Sequence, residues 1–186
     1  TKQPLITVVM PNYNGHRFVE QAIDSVLNQT YSNFELLAVD DCSKDDSLSL
    51  IQQKAQSDGR IRVITLEHNA GVANARNLGI KEAKGEYIAL LDNDDLWTED
   101  KLERQLALAQ KGADIVYCSY DFIDEQNNTI KKPFVVPQQT NFNKMLASSV
   151  ISCSTSFIKT ELMQAHPFNP DFYHEDYVLW MELLRV

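Results

Sequence analysis

Tyr87-Ile88-Ala89-Leu90-Leu91-Asp92-Asn93-Asp94-Asp95 reads as a buried strand that runs straight into a cluster of three acids. Hard divalent cations take oxygen ligands, commonly one or two carboxylates completed by the phosphates of a substrate. Clustered carboxylates at the end of an apolar strand therefore point to a metal and nucleotide site. Asp92 and Asp94 lie on the same side if strand geometry persists, so both reach one ligand. The competing reading is a solvated acidic turn that caps the next helix.

The same pattern recurs outward from this stretch. Leu5 to Met10 is an apolar, β-branched run that stops at the turn formers Pro11-Asn12-Tyr13-Asn14-Gly15. Phe18, Val19, Ala22, Ile23, Val26 and Leu27 follow at helical spacing, and the next apolar run, Phe34 to Val39, ends at Asp40-Asp41. Ser43-x-x-Asp46 resembles a capping box before a helix with Leu48, Leu50, Ile51 and Ala55, and Ile61 to Leu66 is a third strand. Gly71 to Ala83 predicts a helix with Val72, Ala75, Leu78, Gly79 and Ala83 on or near its packed face. Thr98 opens a helix with acids in its first turn, and Asp114 to Tyr120 is a fifth strand. Alternation of this kind predicts an α/β fold, a single domain whose mostly parallel central sheet is flanked by helices on both faces. After Tyr120 the rhythm breaks. Asp121 to Gln139 predicts a hairpin and a long loop, followed by a helix near Phe142 to Ser148, a strand within Ser152 to Ile158 and a helix from about Thr160. The segment from Glu175 to Val186 has no C-cap signal, and the expectation is that it continues into a longer protein.

The chain has 186 residues, 44% of them hydrophobic, which suits one well-buried domain. Its net charge of −9 argues against nonspecific binding to nucleic acid or to anionic lipid. An anionic ligand would have to be held by local positive charge, helix N-termini or a metal. Cys42, Cys118 and Cys153 are odd in number and widely spaced, which predicts free thiols in a reducing compartment. No stretch approaches a membrane span and the N-terminus lacks a signal-peptide pattern, so the expectation is a cytoplasmic domain.

In open α/β sheets ligands bind beyond the carboxyl ends of the strands, and that edge collects Pro11 to Asn14, Asp40-Asp41, His68-Asn69 and Asp92 to Asp95. Asp40 or Asp41 is suited to accept a hydrogen bond from a base or to hold a sugar hydroxyl; alternatively one of them caps the following helix. Gly71 to Asn77 starts a helix with small residues that allow close approach. Within it Arg76 either pairs with phosphate or carboxylate or is an ordinary surface arginine. The chain carries neither a dinucleotide fingerprint nor a P-loop. Glu175 and Asp176 open the last amphipathic segment, where acids are favoured by the helix dipole whether or not they do chemistry. His174 lacks a second histidine at ligand spacing, and Trp97 and Trp180 suit either stacking on a sugar or base or packing in the core.

Taken together, Val8-Val9-Met10-Pro11-Asn12-Tyr13-Asn14, Ser25 to Tyr31, Glu35 to Asp45, Asn69 to Gly79, Leu90 to Asp95 and Glu175-Asp176 resemble, in order, the family 2 glycosyltransferases of GT-A, Rossmann-like fold. The resemblance implies transfer of a sugar from a nucleoside diphosphate donor, UDP being favoured, with inversion in a single displacement. It implies one catalytic domain over residues 1–186, with 1–120 holding the nucleotide sugar and 121–186 on the acceptor side. By the same carry-over Pro11 and Tyr13 line the nucleoside pocket, Asp41 contacts the base and Asp40 supports it. Arg76 and Asn93 lie at the nucleotide side, Asp92 holds the ribose, and Asp94 binds the Mn²⁺ or Mg²⁺ that bridges the diphosphate. Asp176 matches the family's base, and Glu175 orients it or the acceptor. The implied acceptor is a saccharide or lipid-linked saccharide, with a role in bacterial surface polysaccharide synthesis at the inner face of the membrane, reached through segments outside this chain. A sugar-nucleotide nucleotidyltransferase would carry a glycine-rich basic loop after strand one, which Pro11-Asn12-Tyr13-Asn14 is not. A non-catalytic nucleotide- or carbohydrate-binding module is the reading from outside the enzymes.

Overall fold

A computed structural model describes residues 3–185. Its sheet has the order β3-β2-β1-β4-β6-β5. Strands β1 (Ile6–Asn12), β2 (Phe34–Asp40), β3 (Ile61–Thr65) and β4 (Tyr87–Leu90) are mutually parallel. Two short strands, β5 (Ile115–Val116) and β6 (Phe157–Lys159), complete the far edge in antiparallel pairing. The helices are α1 (Val19–Leu27), α2 (Ser47–Ser57), α3 (Val72–Glu82), α4 (Lys101–Ala109), α5 (Phe142–Ala147), α6 (Thr160–Ala165) and α7 (Glu175–Leu183).

The strands read as continuous apolar runs because both faces of the sheet are covered. Period-two alternation divides them: Val8 and Met10 pack with Val19, Ile23 and Leu102 of α1 and α4, whereas Val9, Ile88 and Leu90 pack with Ile80, Met163 and Trp180 of α3, α6 and α7. Gly79 lets α3 lie close to the sheet, since a Cβ there would stand 2.4 Å from Val9 Cγ1. No helix among the described residues is long and apolar enough to cross a membrane.

Several local expectations are corrected. The fifth strand stops at Val116 instead of Tyr120, because Tyr120 turns away to bridge Phe134 in the hairpin. Ser43 does not open a capping box; its hydroxyl turns back to Asp40 Oδ1 at 2.6 Å, and α2 begins only at Ser47. Helix α4 starts at Lys101, after a turn in which the Thr98 hydroxyl donates to Asp100, so Glu99 and Asp100 precede its first turn. The strand expected within Ser152 to Ile158 is split into a 3-10 turn, Cys153–Thr155, and β6. Val72 faces solvent and not the packed face of α3. Both tryptophans pack in the core, Trp97 donating to the Ser154 carbonyl at 2.8 Å.

Lys101 is buried without a carboxylate partner among the described residues. Its Nζ donates to Gln105 Oε1 at 2.7 Å and lies 3.9 Å from the centre of the Trp97 ring. Burial pulls its pKa from 10.5 to about 7, the thiol of Cys118 opposing the shift. Below the folded value the amine is charged in both states and folding bears the full desolvation cost. As pH rises toward the unfolded value of 10.5, that cost disappears. Lys101→Met should therefore gain most over the parent at pH 6, and its advantage should shrink by about 4 kcal/mol by pH 10 in urea unfolding. A difference that stays flat with pH would contradict this.

Candidate active site

The carboxyl ends of β1, β2 and β4 converge on a cavity of about 410 Å³, a volume in the range of small-molecule sites. Of the residues singled out from sequence, Pro11, Tyr13, Asp41, Arg76, Asp92, Asn93 and Asp94 line it. Asp40 does not, and neither do Glu175 and Asp176, which begin α7 next to it. Asn12, Asn69, Gly71, Val72 and Ala75 complete the wall.

Asp40 lies beneath the cavity as a framework acid. Its Oδ1 accepts from Asn12 Nδ2 at 2.7 Å and from the Ser43 hydroxyl, and its Oδ2 accepts from the Ser43 N–H at 3.0 Å. Asn12 also stands 2.9 Å from Ser47 Oγ, and its Oδ1 accepts from Asn93 Nδ2 at 2.7 Å. One buried amide thus joins the ends of β1, β2 and β4. Gly15 makes room for this, since a Cβ there would stand 2.2 Å from Asn93 Nδ2 and 2.4 Å from Asn12 Oδ1. Sequence reading placed Gly15 only among turn formers and Asn12 only within the Pro11 to Asn14 edge, with no role of its own; the signal for Asn12 was an amide following a buried strand.

Asp41 sits one residue on and points the other way. Its two oxygens accept from the N–H groups of Ala70 at 2.7 Å and Gly71 at 2.9 Å, so it secures the entry to α3 and not the helix that follows it in sequence. Each oxygen keeps a lone pair for a ligand.

Arg76 is no surface residue. Its side chain is 6% exposed, with Nη1 2.7 Å from Glu175 Oε1 and Nη2 2.7 Å from Asp92 Oδ1. Its guanidinium carbon lies 5.4 Å from the centre of the Phe168 ring. Burial opposes the guanidinium charge, but the carboxylates of Asp92 and Glu175 outweigh it and raise the pKa. Cys153, read from sequence only as a free thiol, packs against this cluster. Burial pushes its thiol well above the ordinary range, with Asp92, Asp176 and Glu175 adding to the effect and Arg76 opposing it. The thiol is therefore held protonated and unreactive.

Asp94 differs from its neighbours. It is exposed to the cavity and has no side-chain hydrogen bond or ion pair among the described residues. Asp95 next to it is shifted upward, first by desolvation and then by Asp92 and Asp94, with Ser154 opposing. Asp92 is positioned from below by its N–H, which donates to Ser154 Oγ at 3.0 Å. Among the described residues no three His, Cys, Asp or Glu side chains form a metal cage. A free carboxylate beside a half-engaged one nevertheless fits a hard cation whose other ligands come from phosphate and water.

Comparison with known proteins agrees with this fold. The profile described as "Glycosyl transferase family 2" matches residues 7–165. WfgD of Escherichia coli, named UDP-Glc:alpha-D-GlcNAc-diphosphoundecaprenol beta-1,3-glucosyltransferase, is 40% identical over 97% of this chain and 70% of its own length. Staphylococcus aureus TarS 1-349, solved in complex with UDP, superposes with a TM-score of 0.79 at 23% identity over 96% of this chain and 54% of that one. The mannosyltransferase PcManGT of Pyrobaculum calidifontis, solved with GDP-Man and Mn²⁺, gives 0.75 at 22% identity over 98% of this chain and 52% of that one. The chain spans about half the length of these two structures, and at such identity they speak for the fold.

Removing Arg76 would leave Glu175 and Asp92 facing each other without their shared cation. Arg76→Met should destabilise the fold by about 3 kcal/mol, read as a lower urea midpoint at unchanged m-value. Arg76→Lys, which cannot fork to both acids, should recover only part of the loss. Unchanged stability in the methionine variant would contradict the ion pairs described.

Proposed function

This chain belongs to glycosyltransferase family 2, and from that premise we propose that it moves a sugar from a nucleoside diphosphate sugar, a UDP-sugar, to an acceptor hydroxyl with inversion at the anomeric carbon. The observation that carries this reading is the division of labour among acids at one cavity: Asp41 and Asp92 keep one face each for a ligand, and Asp94 is left free.

On this reading residues 1–120 hold the donor and 121–186 form the acceptor side. Pro11 and Tyr13 flank the nucleoside, and the lone pairs left on Asp41 meet the base N–H. Asp92, with Oδ1 held by Arg76, offers Oδ2 to a ribose hydroxyl. Asn93, fixed by Asn12, faces the sugar phosphate. Arg76 gives both ends of its fork to carboxylates, the second of the two pairings its sequence position suggested, and so braces Asp92 and Glu175 at the nucleotide side. Asp94 would hold Mn²⁺ or Mg²⁺ together with diphosphate oxygens. When bound, such an ion neutralises the charge that builds on the departing diphosphate.

Asp176 takes the proton of the acceptor hydroxyl as the acceptor oxygen attacks the anomeric carbon opposite the leaving group. Its Oδ1 accepts from the Tyr177 N–H at 2.7 Å, which leaves Oδ2 for the acceptor. Glu175, held by Arg76, fixes the start of α7 and so the direction in which Asp176 points. The name of WfgD supports UDP-Glc as donor and a lipid-linked sugar as acceptor. On this reading the work belongs to bacterial surface polysaccharide synthesis at the cytoplasmic face of the membrane.

Thermal unfolding with UDP, dTDP, GDP and ADP, each with Mn²⁺ or with chelator, tests the donor site. The correct diphosphate at about 100 times its dissociation constant should stabilise by about 2.7 kcal/mol, and only with the metal. Asp94→Ala should lose the metal-dependent part of that shift. Asp176→Asn should keep the shift and lose transfer by a factor of at least about 100. Equal loss of nucleotide binding in both variants would overturn the separate roles.

A further inference from the structure

The net charge of −9 is unevenly distributed: the outgoing arm of the hairpin carries Asp121, Asp124 and Glu125, Asp124 held by Asn128 and Glu125 by Arg17, and the basic residues follow on its return. From Gln126 to Thr160 the chain has no Asp or Glu, and it carries Lys131, Lys132, Lys144 and Lys159. Lys159 is paired with Asp114, but Lys131, Lys132 and Lys144 have no carboxylate partner among the described residues. The first two lie on the return arm of the hairpin, between Ile130 at 56% exposure and Val135 at 77%. This arm is built and not frayed. Phe134 exchanges backbone hydrogen bonds with Tyr120, and the Tyr120 ring lies 5.1 Å from Phe134 and 5.3 Å from Phe122. Lys131 Nζ lies 4.5 Å from the centre of the Phe122 ring, whereas Ile130 and Val135 are left exposed with no cover among the described residues. Helix α5 continues the same composition, with Lys144 and Leu146 both exposed.

We propose that the arm Ile130-Lys131-Lys132-Pro133-Phe134-Val135 is a contact surface for an anionic phospholipid bilayer. A soluble polyanion would be matched by the lysines alone and would gain nothing from exposed branched side chains. A bilayer takes both, the lysines at the headgroups and the apolar side chains at the acyl boundary. The inference deepens the reading of a lipid-linked acceptor, because it sets the acceptor side of the domain against the membrane in which such an acceptor resides.

The test is co-sedimentation of the protein with vesicles of phosphatidylcholine, with and without phosphatidylglycerol, at low and high salt. Retention should require phosphatidylglycerol and fall as salt shortens the reach of the charges. At about five-fold in affinity per lysine, Lys131→Glu with Lys132→Glu should weaken binding by at least about 25-fold. Ile130→Ser with Val135→Ser should weaken it at every salt concentration. No preference for phosphatidylglycerol, or charge-reversal variants that bind as the parent does, would overturn the proposal. So would full displacement by soluble polyphosphate combined with indifference to the serine variants, which would mark the arm as a polyanion site. The nucleotide-dependent unfolding shift, measured on the same preparations, reports on the donor site alone, so failure of the transferase reading and failure of membrane contact are told apart.

Discussion

The ion pairs of Arg76 are the constraint on which the site depends. A guanidinium with 6% of its side chain exposed is tolerable only with its charge matched, and here the match comes from two distant points of the chain, the end of β4 at Asp92 and the start of α7 at Glu175. α3 reaches that depth because Ala73, Ala75 and Gly79 let it pack closely against the sheet. The consequence is geometric. The acid proposed to hold ribose and the pair proposed to act on the acceptor are tied to one rigid cation, so the two sides of the reaction share a reference point.

A second network does for the sheet edge what Arg76 does for the two halves. Asn12 links Asp40 at the end of β2, Ser47 at the start of α2 and Asn93 in the loop after β4. Buried polar groups must be satisfied, and a network that satisfies all of them leaves little freedom to move. Against this background the free carboxylate of Asp94 stands out, because nearly every other acid around the cavity is already engaged within the fold.

Much of this was legible in the residues. Buried strands covered on both faces announce themselves as unbroken apolar runs, and each such run ended in a polar cluster, so β1 to β4 and the edge that holds the cavity could be placed from pattern alone. Short elements were less legible. β5 and the split around Cys153 depend on pairing with β6 and on the pull of the hairpin through Tyr120 and Phe134, which leave no periodic trace. Ser43 illustrates the limit of local motifs: its hydroxyl had a helix start nearby, but the buried carboxylate of Asp40 was the stronger acceptor.

The sequence by itself determined the family, the order of strands and helices, and which residue types stand at the strand ends, since those follow from periodicity and from composition along the chain. Only the tertiary structure decided what each acid does. Asp40 and Asp41 are neighbours of identical chemistry, yet one is consumed by Asn12 and Ser43 and the other faces the cavity while holding Ala70 and Gly71. The physical reason is that a side chain's type sets how many hydrogen bonds and charges it can offer, while the partners that occupy them come from distant residues, as Glu175 does to Arg76 from 99 positions away, brought together only by folding.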